Sequence, residues 1–343
     1  MAESVERLWQ NEAERRGRVR MWLIIAMVVM LSLLIVLWAM LTQPLLSAVT
    51  TKPSSVNISA DHLKAHVRML SETLVPRDYR HPENLDRVAE YLRRELASAQ
   101  GKVAEQVWQV EGRTYRNVVA RFGPETNERI VVGAHYDTCQ PYPGADDNAS
   151  GVAGLIELAR LLGQTQLPLT VELVAYTLEE PPYFRSTLMG SAVHARALKA
   201  QGVAVRAMFS LEMLGYFSDE PGSQSYPNPV LQLCYPSQGN FIAVVGNFDQ
   251  TGLTRRVKRA MRETGLLPVY SINAPGWLPG IDFSDHLNYW QAGYPAIMIT
   301  DTSFYRNKNY HTPHDTAEKL DYNRLARVVQ AVYAAVLAVV PAE

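Results

Sequence analysis

Apolar and polar positions along the chain fall into distinct regimes. From Met21 to Leu41 the sequence reads MWLIIAMVVMLSLLIVLWAML, without a charge and with Ser32 as its polar exception. Thr50–Ser59 (TTKPSSVNIS) is polar and contains proline and serines, the pattern of a short linker. From Ala60 onward apolar residues recur periodically. Ala60–Thr73 and Asn84–Gln100 predict amphipathic helices, the second with Leu85, Val88, Tyr91, Leu92 and Leu96 on one stripe. Gln106–Val110 and Asn117–Phe122 predict strands. An alternation then begins: strand Ile130–Gly133, helix Ser150–Leu162, strand Thr170–Thr177, helix Ser191–Gln201, strand Val205–Leu211, helix Gly252–Gly265, strand Ala296–Thr300. Tyr322–Val340 closes the chain as a helix, nearly apolar from Val328. Strands alternating with helices predict an α/β fold with a mostly parallel central sheet and helices on both faces, preceded by one N-terminal transmembrane helix.

The Met21–Leu41 block is long enough for that last role. At ~1.5 Å per residue, a helix of this length spans a hydrocarbon core of ~30 Å. Trp22 and Trp38 lie near its ends, where interfacial aromatics are favoured. Arg15, Arg16, Arg18 and Arg20 precede it, and no Lys or Arg follows until Lys52. The positive-inside rule then places the N-terminus in the cytoplasm and everything after Pro44 on the far side, periplasmic or extracellular. A cleaved signal peptide would have a shorter apolar region and a small-x-small site, and Leu46–Thr50 is a poor one. The expected organisation is a cytoplasmic tail over 1–20, a signal anchor over 21–41, a linker over 42–59 and a globular domain over 60–343. The final helix has too short an apolar run to span a bilayer and reads as core.

Composition sharpens this picture in three ways. Among 343 residues, 33 Lys+Arg against 34 Asp+Glu give a net charge of -1, so there is no basic footprint for nucleic acid. Charged residues at 20% and aromatics at 9% exclude a wholly disordered chain. Cys139 and Cys234 are too few for a disulfide framework and too far apart for a CxxC zinc knuckle, although a single bridge between them stays open.

The chemistry-bearing residues cluster at or near the ends of predicted elements. They are Gly133-Ala134-His135-Tyr136-Asp137, Gly144-Ala145-Asp146-Asp147-Asn148-Ala149-Ser150-Gly151, Leu178-Glu179-Glu180, Ser210-Leu211-Glu212-Met213 and Asn309-Tyr310-His311-Thr312-Pro313-His314-Asp315-Thr316. Open α/β sheets place their ligand crevice at the carboxyl ends of the strands, where these segments can converge. Imidazole and carboxylate ligands suit Zn²⁺, and a shared carboxylate can bridge two ions. The adjacent Glu179-Glu180 pair suits a division between proton transfer and metal binding.

The motifs AHYDT, GADDNASG, LEE, SLEM and YHTPHDT, in that order from about Arg113 to Leu320, resemble the co-catalytic zinc aminopeptidases of metallopeptidase family 28. That family includes glutamate carboxypeptidase II, the transferrin-receptor ectodomain and, more distantly, glutaminyl cyclases. The resemblance implies two zinc ions, with His135 and Glu212 on one, Glu180 and His311 on the other, and Asp147 bridging them. It implies that Glu179 is the general base acting on a metal-bridging hydroxide, that Asp137 orients the His135 ring, and that Tyr310 steadies the oxyanion. The expected activity is removal of N-terminal residues from peptides by a membrane-anchored enzyme whose zinc peptidase domain occupies 60–343. A glutaminyl cyclase-like zinc transferase, a carboxypeptidase or dipeptidase of the same family, and a non-catalytic binding module are the alternatives. The intact ligand set counts against the first and last of these.

Two departures from the family pattern stand out. Glu212 replaces the aspartate of many members, and Pro181-Pro182-Tyr183-Phe184-Arg185 replaces a glycine-rich stretch, which predicts a remodelled rim. Asp146 reads as a turn or capping residue, and His194 and His314 as non-ligands. Cys139 reads as a bystander thiol. Asp285, in GIDFSDHLNYW, is a candidate for a supporting or substrate-facing role. Trp277, Phe283, Tyr289, Trp290, Phe304 and Tyr305 are candidate pocket walls.

Overall fold

The computed structural model describes residues 2–45, 50, 51 and 56–340. The expected linker therefore falls partly outside the described residues, at 46–49 and 52–55, as does much of the weak cleavage site, and so do residues 341–343 of the expected globular domain. Helix α1 runs without a break from Ala2 to Thr42 and takes in both the Arg-rich segment and the apolar block. From Val19 to Met40 its apolar side chains are exposed, apart from Ala39, and Leu41 and Thr42 reach the globular part. There Lys258 Nζ donates to the carbonyl oxygens of Thr42 at 2.7 Å and Gln43 at 3.2 Å. Ser271 Oγ donates to Thr42 O at 2.9 Å. The end of α1, where carbonyls lack helical partners, is thus capped by a cation from a distant element.

The globular part opens with α2 (Ala60–Arg68), extended by a wider turn to Thr73, and α3 (Pro82–Ser98). Strands β1 (Lys102–Val110), β2 (Arg113–Phe122) and β3 (Glu128–His135) follow. Then come α4 (Gly151–Leu162), β4 (Thr170–Tyr176), α5 (Gly190–Ala200) and β5 (Ala204–Glu212). The chain continues through β6 (Ile242–Gly246), α6 (Thr251–Glu263), β7 (Val269–Asn273), α7 (His286–Gln291), β8 (Ala296–Thr300) and α8 (Tyr322–Val339). One mixed sheet has the order β1-β2-β4-β3-β5-β8-β6-β7. Its centre, β4-β3-β5-β8, is parallel throughout. β1-β2, β2-β4 and β6-β8 pair antiparallel.

Alternate residues of the buried strands feed two faces, as the period of two demands. Ile130, Val132, Leu173 and Phe209 pack with α2, α3, α4, α6 and α8, whereas Val131, Val174, Tyr176 and Met208 pack with α5 and α7. A third cluster of Phe241, Ala243, Val245 and Met298 includes Leu41 from α1. The α/β fold with helices on both faces is as the alternation predicts. β6, β7 and α7 are additions to the expected elements. Each is short, and β6 is buried on both faces, so none shows a clear period.

Candidate active site

The parallel centre of the sheet delivers the expected residues to one end. His135 ends β3, Glu212 ends β5, Glu179 and Glu180 lie just beyond β4, and His311 lies in the loop after β8. Asp147 comes from the turn between β3 and α4. His135 Nε2 lies 3.4 Å from Asp147 Oδ1, 3.3 Å from Glu212 Oε2 and 3.9 Å from Glu179 Oε2. His311 Nε2 lies 3.1 Å from Asp147 Oδ2 and 3.1 Å from Glu180 Oε2. The structure therefore brings all five expected ligands and Glu179 together, with the two oxygens of Asp147 facing different imidazoles.

The motif residues around Asp147 hold it by hydrogen bonds rather than by bulk. Asp315 accepts the backbone N–H of Asp146 at 3.1 Å and that of Asp147 at 3.0 Å. The Asn148 amide donates to Leu211 O at 2.8 Å, while its oxygen accepts from Met213 N at 3.0 Å and Gly151 N at 3.2 Å. Ser150 Oγ donates to Asp146 O and accepts from Leu214 N. A Cβ at position 151 would stand 2.3 Å from Asn148 Oδ1, so the motif requires glycine there. Asp146 accepts from Gly215 N and Asn307 Nδ2, each at 2.9 Å, and so ties three loops together.

Asp137 accepts the backbone N–H groups of Glu179 at 3.2 Å and Glu180 at 3.1 Å. Its Oδ1 lies 3.7 Å from His135 Nδ1, and its carbonyl oxygen lies nearer, at 3.2 Å. Asp137 thus supports the glutamates at least as directly as the ring. Ser284, whose neighbour Asp285 carried the sequence expectation, donates to Glu212 Oε2 at 2.8 Å and pairs with Ser210. Asp285 is fully buried, and burial pushes it up to about 7, opposed by His135 and Ser191. Leu178, Met213 and His311 all have positive φ (59°, 49° and 54°). Left-handed backbone costs a side-chain-bearing residue roughly 1–2 kcal/mol and persists only where its surroundings enforce it.

Arg77 is the residue that sequence reasoning missed most completely. It is 0% exposed and donates to the carbonyls of Leu70, Tyr136, Pro143 and Gly144. It thereby clasps both ends of the loop joining His135 to Asp147. No motif marks it, because every partner is a backbone oxygen.

The electrostatics are those of crowded carboxylates. Burial pushes Glu179 well above the usual carboxylate range, opposed by His135 and reinforced by Glu180 and Glu212. Burial and then Asp147 push Glu180 up to about 8. Burial also acts on Asp147, but the two imidazoles outweigh it and hold the carboxyl below its usual range. Glu180 Oε1 is buried without a hydrogen bond, while His311 Nε2 is shared between Asp147 and Glu180. Four carboxylates around two imidazoles, with a donor atom left unused, fit divalent metal, and the nitrogen and oxygen donors suit zinc. His194 instead pairs with Glu172 at 3.1 Å, and His314 is exposed.

An apolar pocket opens beside Glu212 and Tyr310. Of the expected wall residues, Phe283, Phe304 and Tyr305 line it. Three do not. Tyr289 is fully buried and hydrogen-bonded to Tyr176 and His194, Trp290 donates to Ala296 O, and Trp277 is 81% exposed. Tyr226, Tyr235, Phe241 and Tyr270 take their place. The Pro181–Arg185 rim reaches this wall: Arg185 pairs with Asp282 at 2.6 Å and lies over the rings of Phe184 and Phe283. Tyr310 stacks on His311 with ring centroids 3.7 Å apart. Cys139 and Cys234 are both free thiols.

This fold and donor set define a metallopeptidase-like site. Residues 117–336 match the model of peptidase family M28, and the chain belongs to that family. It is thus placed among hydrolases of the peptidase class. The uncharacterized protein YfbL of Escherichia coli K12 is 50% identical over 299 residues, covering 84% of this chain and 91% of its own length. Leucine aminopeptidase 1 of Ajellomyces capsulatus is 28% identical over 224 residues, covering 61% of this chain and about half (52%) of that relative. The zinc aminopeptidase BSAP of Bacillus subtilis superposes with a TM-score of 0.69 at 16% identity, over 84% of this chain and 97% of BSAP. A glutaminyl cyclase of Bacteroides thetaiotaomicron gives 0.64 at 22% identity, over 82% and 99%. These likenesses show the fold.

Proposed function

We propose that the chain is a membrane-anchored, zinc-dependent aminopeptidase that removes apolar N-terminal residues from peptides. The observation that carries the reading is the convergence of His135, Asp147, Glu180, Glu212 and His311 around Glu179, beside an apolar pocket. Two zinc ions would be held by His135 and Glu212 and by Glu180 and His311, with Asp147 shared. When bound they supply charge that polarises the scissile carbonyl and favours ionised water. Glu179, buried and not needed as a ligand, takes the proton from the attacking water and returns it to the departing amine. Asp137 fixes the backbone of both glutamates, and Ser284 fixes Glu212. The Tyr310 hydroxyl donates to the oxygen on which negative charge develops.

The pocket lining contains no Arg or Lys among the described residues, and Arg185, which lies over the wall residue Phe283, is already paired with Asp282. Glu179 and Glu212 offer negative charge to a free amine instead. This supports an exopeptidase acting from the N-terminus over a carboxypeptidase. A glutaminyl cyclase would need one zinc, and the complete second set of donors counts against it.

Glu14–Thr42 is a 29-residue candidate span with its apolar surface unburied, which supports the signal anchor. The arginines before it support a cytoplasmic N-terminus and an extracytoplasmic domain over 60–343. The test is hydrolysis of leucyl and alanyl chromogenic amides by purified full-length protein. Activity is expected to disappear with a chelator and return with zinc. Glu179→Gln should lower kcat by roughly 10²–10⁴-fold while leaving bound zinc unchanged. Unchanged activity after complete zinc removal, or in Glu179→Gln, would refute the proposal.

A further inference from the structure

We propose that Cys139 is a direct ligand of the metal ion held by Glu180 and His311, which makes that half of the centre a mixed sulfur, nitrogen and oxygen site. The inference rests on the zinc reading above and adds a ligand to it. One donor atom from each of Cys139, Glu180 and His311 lies within 4.8 Å of the others. Zinc–sulfur bonds of ~2.3 Å and zinc–nitrogen or zinc–oxygen bonds of ~2.0–2.2 Å bring ligand pairs into that range, so a shared ion needs only side-chain adjustment.

A second observation points the same way. Glu180 is 5% exposed, and its Oε1 has no hydrogen-bond partner, so a donor is left unused on that side of the centre. Cys139 lines one small cleft with Asp147, Glu180 and His311. Its position is also fixed. Thr138 N donates to Arg77 O at 3.2 Å and Thr138 Oγ1 to Gln140 O at 2.8 Å, which pins the backbone on both sides of the cysteine. The thiol pairs with no other cysteine, and the side chain it hydrogen-bonds is His311 of the same cluster.

Coordination replaces the S–H proton by the metal and releases that proton to solvent. The two halves of the centre then differ in kind. His135, Glu212 and Asp147 offer nitrogen and oxygen only, whereas the Cys139 half is softer and favours thiophilic divalent ions. The two ions should accordingly bind with separable affinities.

Cobalt(II) reports this directly. Metal-free full-length protein in detergent is titrated with Co²⁺ and followed by absorption. A near-ultraviolet thiolate-to-cobalt charge-transfer band is expected to saturate with one of two equivalents. It should vanish in Cys139→Ser and Cys139→Ala and persist in Cys234→Ser. Visible cobalt bands should remain in every variant, and Cys139→Ser should bind its weaker equivalent at least roughly tenfold less tightly. Two bound cobalt ions without a charge-transfer band, or a band that survives Cys139→Ser, would overturn the proposal while leaving the proposed function standing. Absence of any cobalt binding would overturn both.

Discussion

Replacing Arg77 by Met keeps a long apolar stem and removes the guanidinium. The structure sets the size of the effect. Four carbonyls, of Leu70, Tyr136, Pro143 and Gly144, accept from this one side chain at 0% exposure. Hydrogen bonds from a charged donor contribute roughly 1.5–3 kcal/mol each, and buried acceptors left without a partner carry their own desolvation penalty. Methionine avoids the cost of burying the cation. Burial lowers Arg77 from its ordinary value to about 10, equivalent to about 3 kcal/mol. The bonds outweigh that cost, and a net loss of about 3 kcal/mol or more remains. For domains of this size roughly 2–4 °C accompany each kcal/mol, so thermal unfolding followed by circular dichroism should show Tm lower by at least ~6 °C. Arg77→Lys, which keeps the charge and loses the fork, should fall between the two. A Tm within 2 °C of wild type for Arg77→Met (below about 1 kcal/mol) would show that the guanidinium does not hold the loop.

Two further outcomes follow from the same geometry. Ala243 lines the apolar pocket from β6, so Ala243→Phe should fill it. Leucyl and phenylalanyl amides should lose roughly tenfold or more in kcat/KM while alanyl amides lose little, and equal losses would place the substrate side chain elsewhere. His286 is fully buried, and burial lowers it from 6.5 to about 4. Between those values the unfolded chain binds the proton and the folded one does not, so stability falls as pH drops from 6.5 towards 4, by up to about 3 kcal/mol. Urea unfolding across that window should show a shallower pH dependence in His286→Phe, and parallel curves would contradict the assignment.

The chemistry was more legible in the sequence than its support. His135, Asp147, Glu179, Glu180, Glu212 and His311 lie in short motifs whose neighbours are needed locally. Asn148, Ser150 and Gly151 each answer a hydrogen bond or a steric limit within a few ångströms of Asp147. Arg77, Asp315 and Ser284 escaped because their roles are created by folding. Arg77 meets backbone carbonyls far along the chain, Asp315 captures amides of the Asp146–Asp147 turn, and Ser284 reaches Glu212 across sequence. The aromatic wall shows the same limit. Tyr289 and Tyr270 look equivalent as sequence, and only their place along one face of the sheet decides that Tyr289 joins the core over β3, β4 and β5 while Tyr270 joins the pocket beside β6 and β7.

The junction at Lys258 bears on how far the site can travel. A flexible stalk would let the globular part sweep a broad arc over the surface from which it rises. Here the stem's last carbonyls are gripped by Lys258 and Ser271, and Leu41 is wedged against Phe241 and its neighbours. The pocket wall built on that cluster therefore turns with the stem. In the proposed membrane-anchored enzyme its mouth would keep a set height and heading, and peptides would have to come to it at that level.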